Sequence, residues 1–193
     1  MTTRLSGAGA RGFAMIEVLV TLVIVLVGLL GAAGVLLMGH QSSVEAYQRT
    51  QALVLIEDIF DRISANHYVA SCYAVTDAAS GAPQLGTGFN GTISCGSGTP
   101  DQQATAIADL QQWSGLLKGA AEKDSANQSV GAMIAARGCV SFDAGTQAFT
   151  VTVVWQGLSE TAAPPDSIPC GKGLYGNDAQ RRAVTVSLQF ANI

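Results

Sequence analysis

Charge is scarce in this chain: Asp, Glu, Lys and Arg make up 12% of its 193 residues, against roughly a quarter in typical globular domains. Aromatic residues are few as well, at 6%, and there are only two histidines. Each shortage excludes something. Ten Lys and Arg against fourteen Asp and Glu, a net charge of −4, leave no cationic surface for nucleic acid, whose binding draws its affinity from neutralised phosphates. His40 and His67 fall outside any triad or metal-ligand spacing, so no catalytic residue, metal site, cofactor or small-molecule substrate is expected. None of the four cysteines forms a C-x-x-C pair, which argues against zinc and for two disulfides in an oxidising compartment. A disordered chain is excluded in turn, because 48% of the residues are hydrophobic and the mean hydropathy is +0.31.

What is present is concentrated at one end. Residues 18–39 carry no charge and consist of Leu, Val, Ile, Gly, Ala and Met with Thr21 as the one hydroxyl, a stretch long enough to cross a bilayer as a helix. Arg4 and Arg11 precede it with no acid among the first twelve residues, so the N-terminus is expected on the cytoplasmic side and the bulk of the chain outside. A cleaved secretory signal would have an apolar region of roughly 7 to 15 residues and no carboxylate at its entrance. Here Glu17 stands at the entrance; a charge in the apolar layer costs up to about 2.5 to 3.5 kcal/mol at its centre, so this one calls for a partner or for headgroup contact.

The residues Arg11-Gly12-Phe13-Ala14-Met15-Ile16-Glu17, running straight into the apolar stretch, resemble the processing signal of type IV pilins and type II secretion pseudopilins. The resemblance implies cleavage by a prepilin peptidase after Gly12, a mature N-terminus at Phe13 that becomes N-methylated, and an assembly role for Glu17. A free amine on Phe13 opposite the Glu17 of a neighbouring subunit would neutralise two charges that an apolar filament interior cannot otherwise hold.

Beyond residue 39 the pattern turns amphipathic. Leu53, Ile56, Ile59, Phe60 and Ile63 recur at three- and four-residue spacing with Glu57, Asp58, Asp61 and Arg62 between them, which predicts a helix with one buried face. One helix is expected over residues 13–66, a rod of roughly 80 Å at ~1.5 Å per residue, with the membrane span at about 18–39. A globular head over residues 67–193 follows. Within it, residues 77–98 read as turns and irregular strand. Thr99-Pro100-Asp101-Gln102 reads as a capping box opening a helix with Ala106, Leu110, Trp113 and Leu117 on its inner face. Residues 149–156 and 184–190 alternate as half-buried strands, and Asp143-Ala144-Gly145 marks a hairpin turn. Gly86-Thr87-Gly88-Phe89-Asn90-Gly91 matches G-x-G-x-x-G, but with no strand before it and no helix after it the segment is a Gly-rich loop and not a dinucleotide site. Asn90-Gly91-Thr92 and Asn127-Gln128-Ser129 fit glycosylation sequons, which carry little meaning in the bacterial protein that the resemblance implies. Arg181-Arg182 reads as a solvated face or strand-edge protection. Four cysteines allow three pairings; nearest-neighbour closure favours Cys72 with Cys95 and Cys139 with Cys170.

The order of these features in the last third, together with Tyr47-Gln48-Arg49, Asp61-Arg62-Ile63 and the Asp109-Leu110-Gln111-Gln112-Trp113 helix, resembles PilV-type minor pilins, also called type IV pilus modification proteins. That family implies an α+β, pilin-like fold: a long N-terminal helix packed on a small antiparallel sheet. It implies a non-enzymatic subunit of the inner membrane and the pilus, which helps to prime pilus assembly and supports adhesion or motility. The implied partners are other minor pilins, the major pilin and the prepilin peptidase. A minor pseudopilin of a type II secretion system shares the processing signal. A membrane-tethered periplasmic enzyme or binding domain would require Gly12 to remain uncleaved.

Overall fold

The computed structural model describes residues 14–121, 125–126 and 133–189. Gly12 and Phe13 at the expected cleavage site, Arg4 and Arg11 before it, the sequon at 127–129 and Phe190 lie outside the described residues. The chain is α+β: a long N-terminal helix α1 (Met15–Ala65), a 3-10 segment (His67–Tyr73), strand β1 (Leu85–Gly86), helix α2 (Pro100–Leu117), and strands β2 (Ile134–Asp143), β3 (Ala148–Gln156) and β4 (Arg181–Gln189). Residues as far as Ser43 form one compact unit and residues from Val44 onward another.

In the first unit the large apolar side chains between Met15 and Met38 are exposed. This part of α1 is long and apolar enough to cross a membrane, and none of its most apolar window is buried. In the second unit the same helix becomes one-sided. Gln48, Ala52, Ile56, Ile59, Phe60 and Ile63 are buried, a stripe that follows the helical period. Leu53, expected on that stripe, is 40% exposed. Ala52 occupies the inward position, because residue 53 is rotated a further ~100° around the axis.

Helix α2 begins as its first residues dictate. The Thr99 side chain accepts from the Gln102 backbone N–H while the Gln102 side chain accepts from the Thr99 N–H at 2.9 Å, with Pro100 in the first turn. Its inner residues Ala106, Leu110, Trp113 and Leu117 are buried in the main core with the α1 stripe and with Val140, Phe149, Val151 and Val153 of the sheet. Gly138 of β2 makes this packing possible, since a Cβ there would fall 2.2 Å from the Trp113 ring.

The four strands pair antiparallel in the order β1-β2-β3-β4. The β2–β3 turn is closed by the Asp143 carboxylate, which accepts from the N–H groups of Gly145 at 2.8 Å and Thr146 at 3.3 Å. Strand β3 departs from the half-buried expectation: Thr152 and Val154 are buried along with Val151 and Val153. A second small cluster of Cys139, Val154, Cys170 and Tyr175 explains this, because the loop between β3 and β4 folds back over the face of the sheet opposite the helices. On β4 the alternation weakens outward, from Val184 at 8% exposed to Leu188 at 43%. The Gly-rich segment at 86–91 does have a strand before it, the two-residue β1, but it leads into residues without regular structure and not into a helix.

Candidate functional site

Glu17 occupies the first turn of α1 and is exposed, its N–H donating to the Ala14 carbonyl at 2.9 Å. No ion pair is made by its carboxylate among the described residues. Four residues on, the Thr21 hydroxyl turns back to the Val18 carbonyl at 2.9 Å, satisfying the polar group within the helix itself. The entrance of α1 thus combines one available carboxylate with a continuous apolar surface.

The other end of α1 is fastened to the head by polar contacts that frame the buried stripe. Both tryptophans donate to this helix: Trp113 Nε1 to the Leu55 carbonyl at 2.7 Å and Trp155 Nε1 to Gln48 Oε1 at 3.1 Å. Arg182 reaches Glu45 at 3.1 Å and the Ser159 carbonyl at 2.7 Å. At the far end Arg62 binds Asp58 at 2.9 Å, Asp109 at 3.0 Å and Gln112 at 3.0 Å. Burial opposes the Arg62 charge, yet the two carboxylates outweigh it and hold the guanidinium above its ordinary value. Asp109 also accepts from the Tyr73 hydroxyl. Burial, and then this bond, pushes the Tyr73 hydroxyl well above the usual phenol range, so it remains a donor. Asn66, at the end of α1, completes the join by donating to the Gln102 carbonyl at 3.0 Å.

Arg181 and Arg182 are not a solvated face. Arg181 is fully buried: its Nε and Nη2 grip the Asp178 carboxylate at 3.0 and 2.7 Å, and Nη1 donates to the carbonyls of Ile168 at 2.8 Å and Cys170 at 3.2 Å. The expectation fails because a guanidinium carries five donors in a fixed fork, and the loop from 157 to 180 presents its carbonyls to that fork. Asp178 is held below the usual carboxylate range, chiefly by its bond from Arg181. This arginine is missed by sequence pattern, since it sits next to a second arginine at the start of a strand.

The disulfides join Cys72 to Cys95 and Cys139 to Cys170. The first ties the 3-10 segment to the irregular stretch before α2. The second ties β2 to the loop organised by Arg181. His67 stacks on Tyr68 with ring centroids 4.1 Å apart, and its Nδ1 lies 3.2 Å from the Ser64 carbonyl. Among the described residues no group of three or more His, Cys, Asp or Glu is placed to hold a metal ion. A surface recess of ≈ 520 Å³ borders the Cys72–Cys95 bond, with Ser71, Thr92, Ser94 and Ser97 among its lining residues. No protein-family model, no curated protein and no solved structure matches this chain.

Proposed function

We propose that this chain is a type IV pilin-like subunit of the PilV-type minor pilin kind: a bacterial inner-membrane protein with a periplasmic head that enters a pilus and helps to prime its assembly. One observation carries the reading. A single helix bears a lone carboxylate in its first turn, a membrane-length apolar surface after it and, further on, a stripe buried in a disulfide-bonded α+β head. A carboxylate at the entrance of such a surface is stabilised when a cation on a neighbour meets it in the same low-dielectric setting. The amine freed by cleavage between Gly12 and Phe13 would supply that cation.

Intact-mass analysis of the membrane-extracted protein tests the first step, with a methylated Phe13 expected at the N-terminus. A retained Met1, or a cut inside residues 18–39, sinks the proposal. Glu17→Ala tests the second: the variant is expected to insert and fold but to leave the priming complex, with fewer surface pili and weaker twitching motility or adhesion. A deletion strain with normal pili that fails to export type II substrates would assign the chain to a secretion pseudopilus instead.

A further inference from the structure

Among the described residues, every buried or half-buried arginine but one is paired with a carboxylate: Arg62 with Asp58 and Asp109, Arg181 with Asp178, and Arg182 with Glu45. The exception is Arg137, half-buried on β2. An irregularity in that strand brings it to its place. Ile134 pairs with Gln156 and Arg137 with Val154, so Ala135 and Ala136 together oppose the single residue Trp155. Ala135 takes a φ of 51°, which alanine rarely adopts, and a bulge of this kind re-aims the side chains beside it. The Arg137 guanidinium lies over the Tyr175 ring, 4.9 Å from its centroid, and Nη1 donates to the Ala135 carbonyl at 3.2 Å. The Tyr175 hydroxyl donates to the same carbonyl at 3.0 Å. Burial pushes that hydroxyl above the usual phenol range, and the neighbouring guanidinium offsets part of the push. A guanidinium carries five N–H donors. The Ala135 carbonyl and the Tyr175 hydroxyl occupy at most two of them, and no carboxylate meets the rest among the described residues.

Arg137 forms part of the wall of a recess of ≈ 350 Å³, a volume within the range of small-molecule sites. The other walls come from residues 83–91, which include the G-x-G-x-x-G match, and from Leu174 in the loop before β4. Nη2 of Arg137 stands on the side of Gly88, 4.0 Å from where a Cβ would be. No acid and no second cation line the recess. Pro83, Phe89 and Leu174 give it an apolar side, and Arg137 gives it one positive charge. That combination matches a single carboxylate carried on a compact apolar body. The carboxylate takes parallel N–H bonds from the guanidinium fork, while the body covers Leu174, which is 47% exposed. A phosphate dianion would bring a second negative charge with no second cation to meet it.

We propose that Arg137, Phe89 and Leu174 form a binding site for a small free monocarboxylate with an aromatic or branched aliphatic body. The Gly-rich segment then serves as the wall of an acid site and not as a phosphate cradle. All parts of the site lie in the unit from Val44 onward, so it does not depend on the pilin reading.

The test is a titration of the full chain in neutral detergent with 3-phenylpropionate and, in parallel, with 3-phenylpropionamide, which has the same body without the charge. Saturable nuclear magnetic resonance shifts confined to residues 83–91, Arg137 and Leu174 are expected for the acid. The uncharged amide is expected to bind at least about tenfold more weakly, the factor that charge-assisted hydrogen bonds contribute. Arg137→Gln should weaken the acid by a similar factor and leave the uncharged amide as it was. Leu174→Asp, at an exposed position, plants a carboxylate in the wall of the recess and should also weaken the acid at least about tenfold, which keeps the test decisive where Arg137→Gln loosens the packing around Tyr175. Equal affinities for the acid and the amide, or acid binding that survives both substitutions, overturns the proposal. So does a peptide ending in phenylalanine that shifts these residues where the free acid does not, since the site would then belong to a polypeptide terminus.

Discussion

Replacing Arg181 by alanine is the most demanding test of how the head is held together. The side chain is fully buried and makes two bonds to Asp178 and two, at 2.8 and 3.2 Å, to the carbonyls of Ile168 and Cys170. Removing one partner of a buried charge pair costs about 3–5 kcal/mol where the other charge stays buried. The Asp178 side chain is 27% exposed and can rehydrate, which lowers that part of the loss, but the two carbonyls are left in a cavity, at about 1–3 kcal/mol for each that finds no water. A net loss of about 3–4 kcal/mol is expected. For a unit of this size each kcal/mol shifts the midpoint by roughly 2–4 °C, so the thermal midpoint of the full chain in detergent should fall by about 6–16 °C with both disulfides intact. Asp178 supplies a signature that a simple cavity would not give. Its carboxyl is held below its ordinary value by Arg181; the stability it contributes is therefore present above the unfolded-state pKa of about 3.9 and is lost as pH falls through the lower folded value. That acid-dependent component should shrink in Arg181→Ala, leaving the smaller part owed to the Gly173 N–H and the Lys172 charge. A midpoint within about 1 °C of the unaltered protein, or an unchanged acid limb, would refute the assignment of Arg181 as the anchor of this loop.

Four other outcomes follow from the same geometry. Thr99→Ala removes the capping acceptor of α2 and should cost about 0.5–2 kcal/mol in denaturant titration, with Thr99→Asn restoring most of it. Gly138→Val drives a side chain into the Trp113 ring and should destabilise by well over ~1 kcal/mol or yield no folded head, seen as loss of near-ultraviolet circular dichroism. Replacing Cys72 and Cys95 together by serine opens a loop with a sequence separation of 23 and should cost about 3–4 kcal/mol. Gly28, Gly31 and Gly34 have open space where a Cβ would stand. If the chain enters a filament as proposed and this glycine-bearing segment loosens there, the triple alanine variant should insert normally but assemble less well, its helix strengthened by ~1 kcal/mol per site; unchanged assembly and unchanged local order would count against such loosening.

Features encoded within a few residues could be read from the sequence. The Thr99–Gln102 capping box, the Asp143 turn and the apolar stretch of α1 each depend on neighbours in the chain, and the structure places them where the spacing predicts. Features that depend on a distant segment could not. Arg181 is buried because a loop some twenty residues long returns over β3, and nothing in Arg181-Arg182 reports that loop. The same return buries Thr152 and Val154 on the face expected to meet water. Gln48 was out of reach on both counts: the spacing points to Leu53 and not Ala52, which leaves Gln48 off the predicted stripe, and its bond to Trp155 joins residues 107 apart. Glu17 stands apart, since a lone carboxylate before an apolar stretch is a chemical anomaly visible without any fold at all.

The two tryptophans, the only ones in the chain, both direct their indole N–H to α1, one to the Leu55 carbonyl and one to the Gln48 side chain. Indole emission responds to the polarity and hydrogen bonding around that N–H. The protein therefore carries a built-in optical gauge of whether residues 48–55 are seated on α2 and the sheet. Phe substituted singly at each position would split the signal into two channels, one for each end of that segment. Detachment of the helix during extraction from a bilayer or insertion into a filament would then register as a red shift, channel by channel, with no label attached.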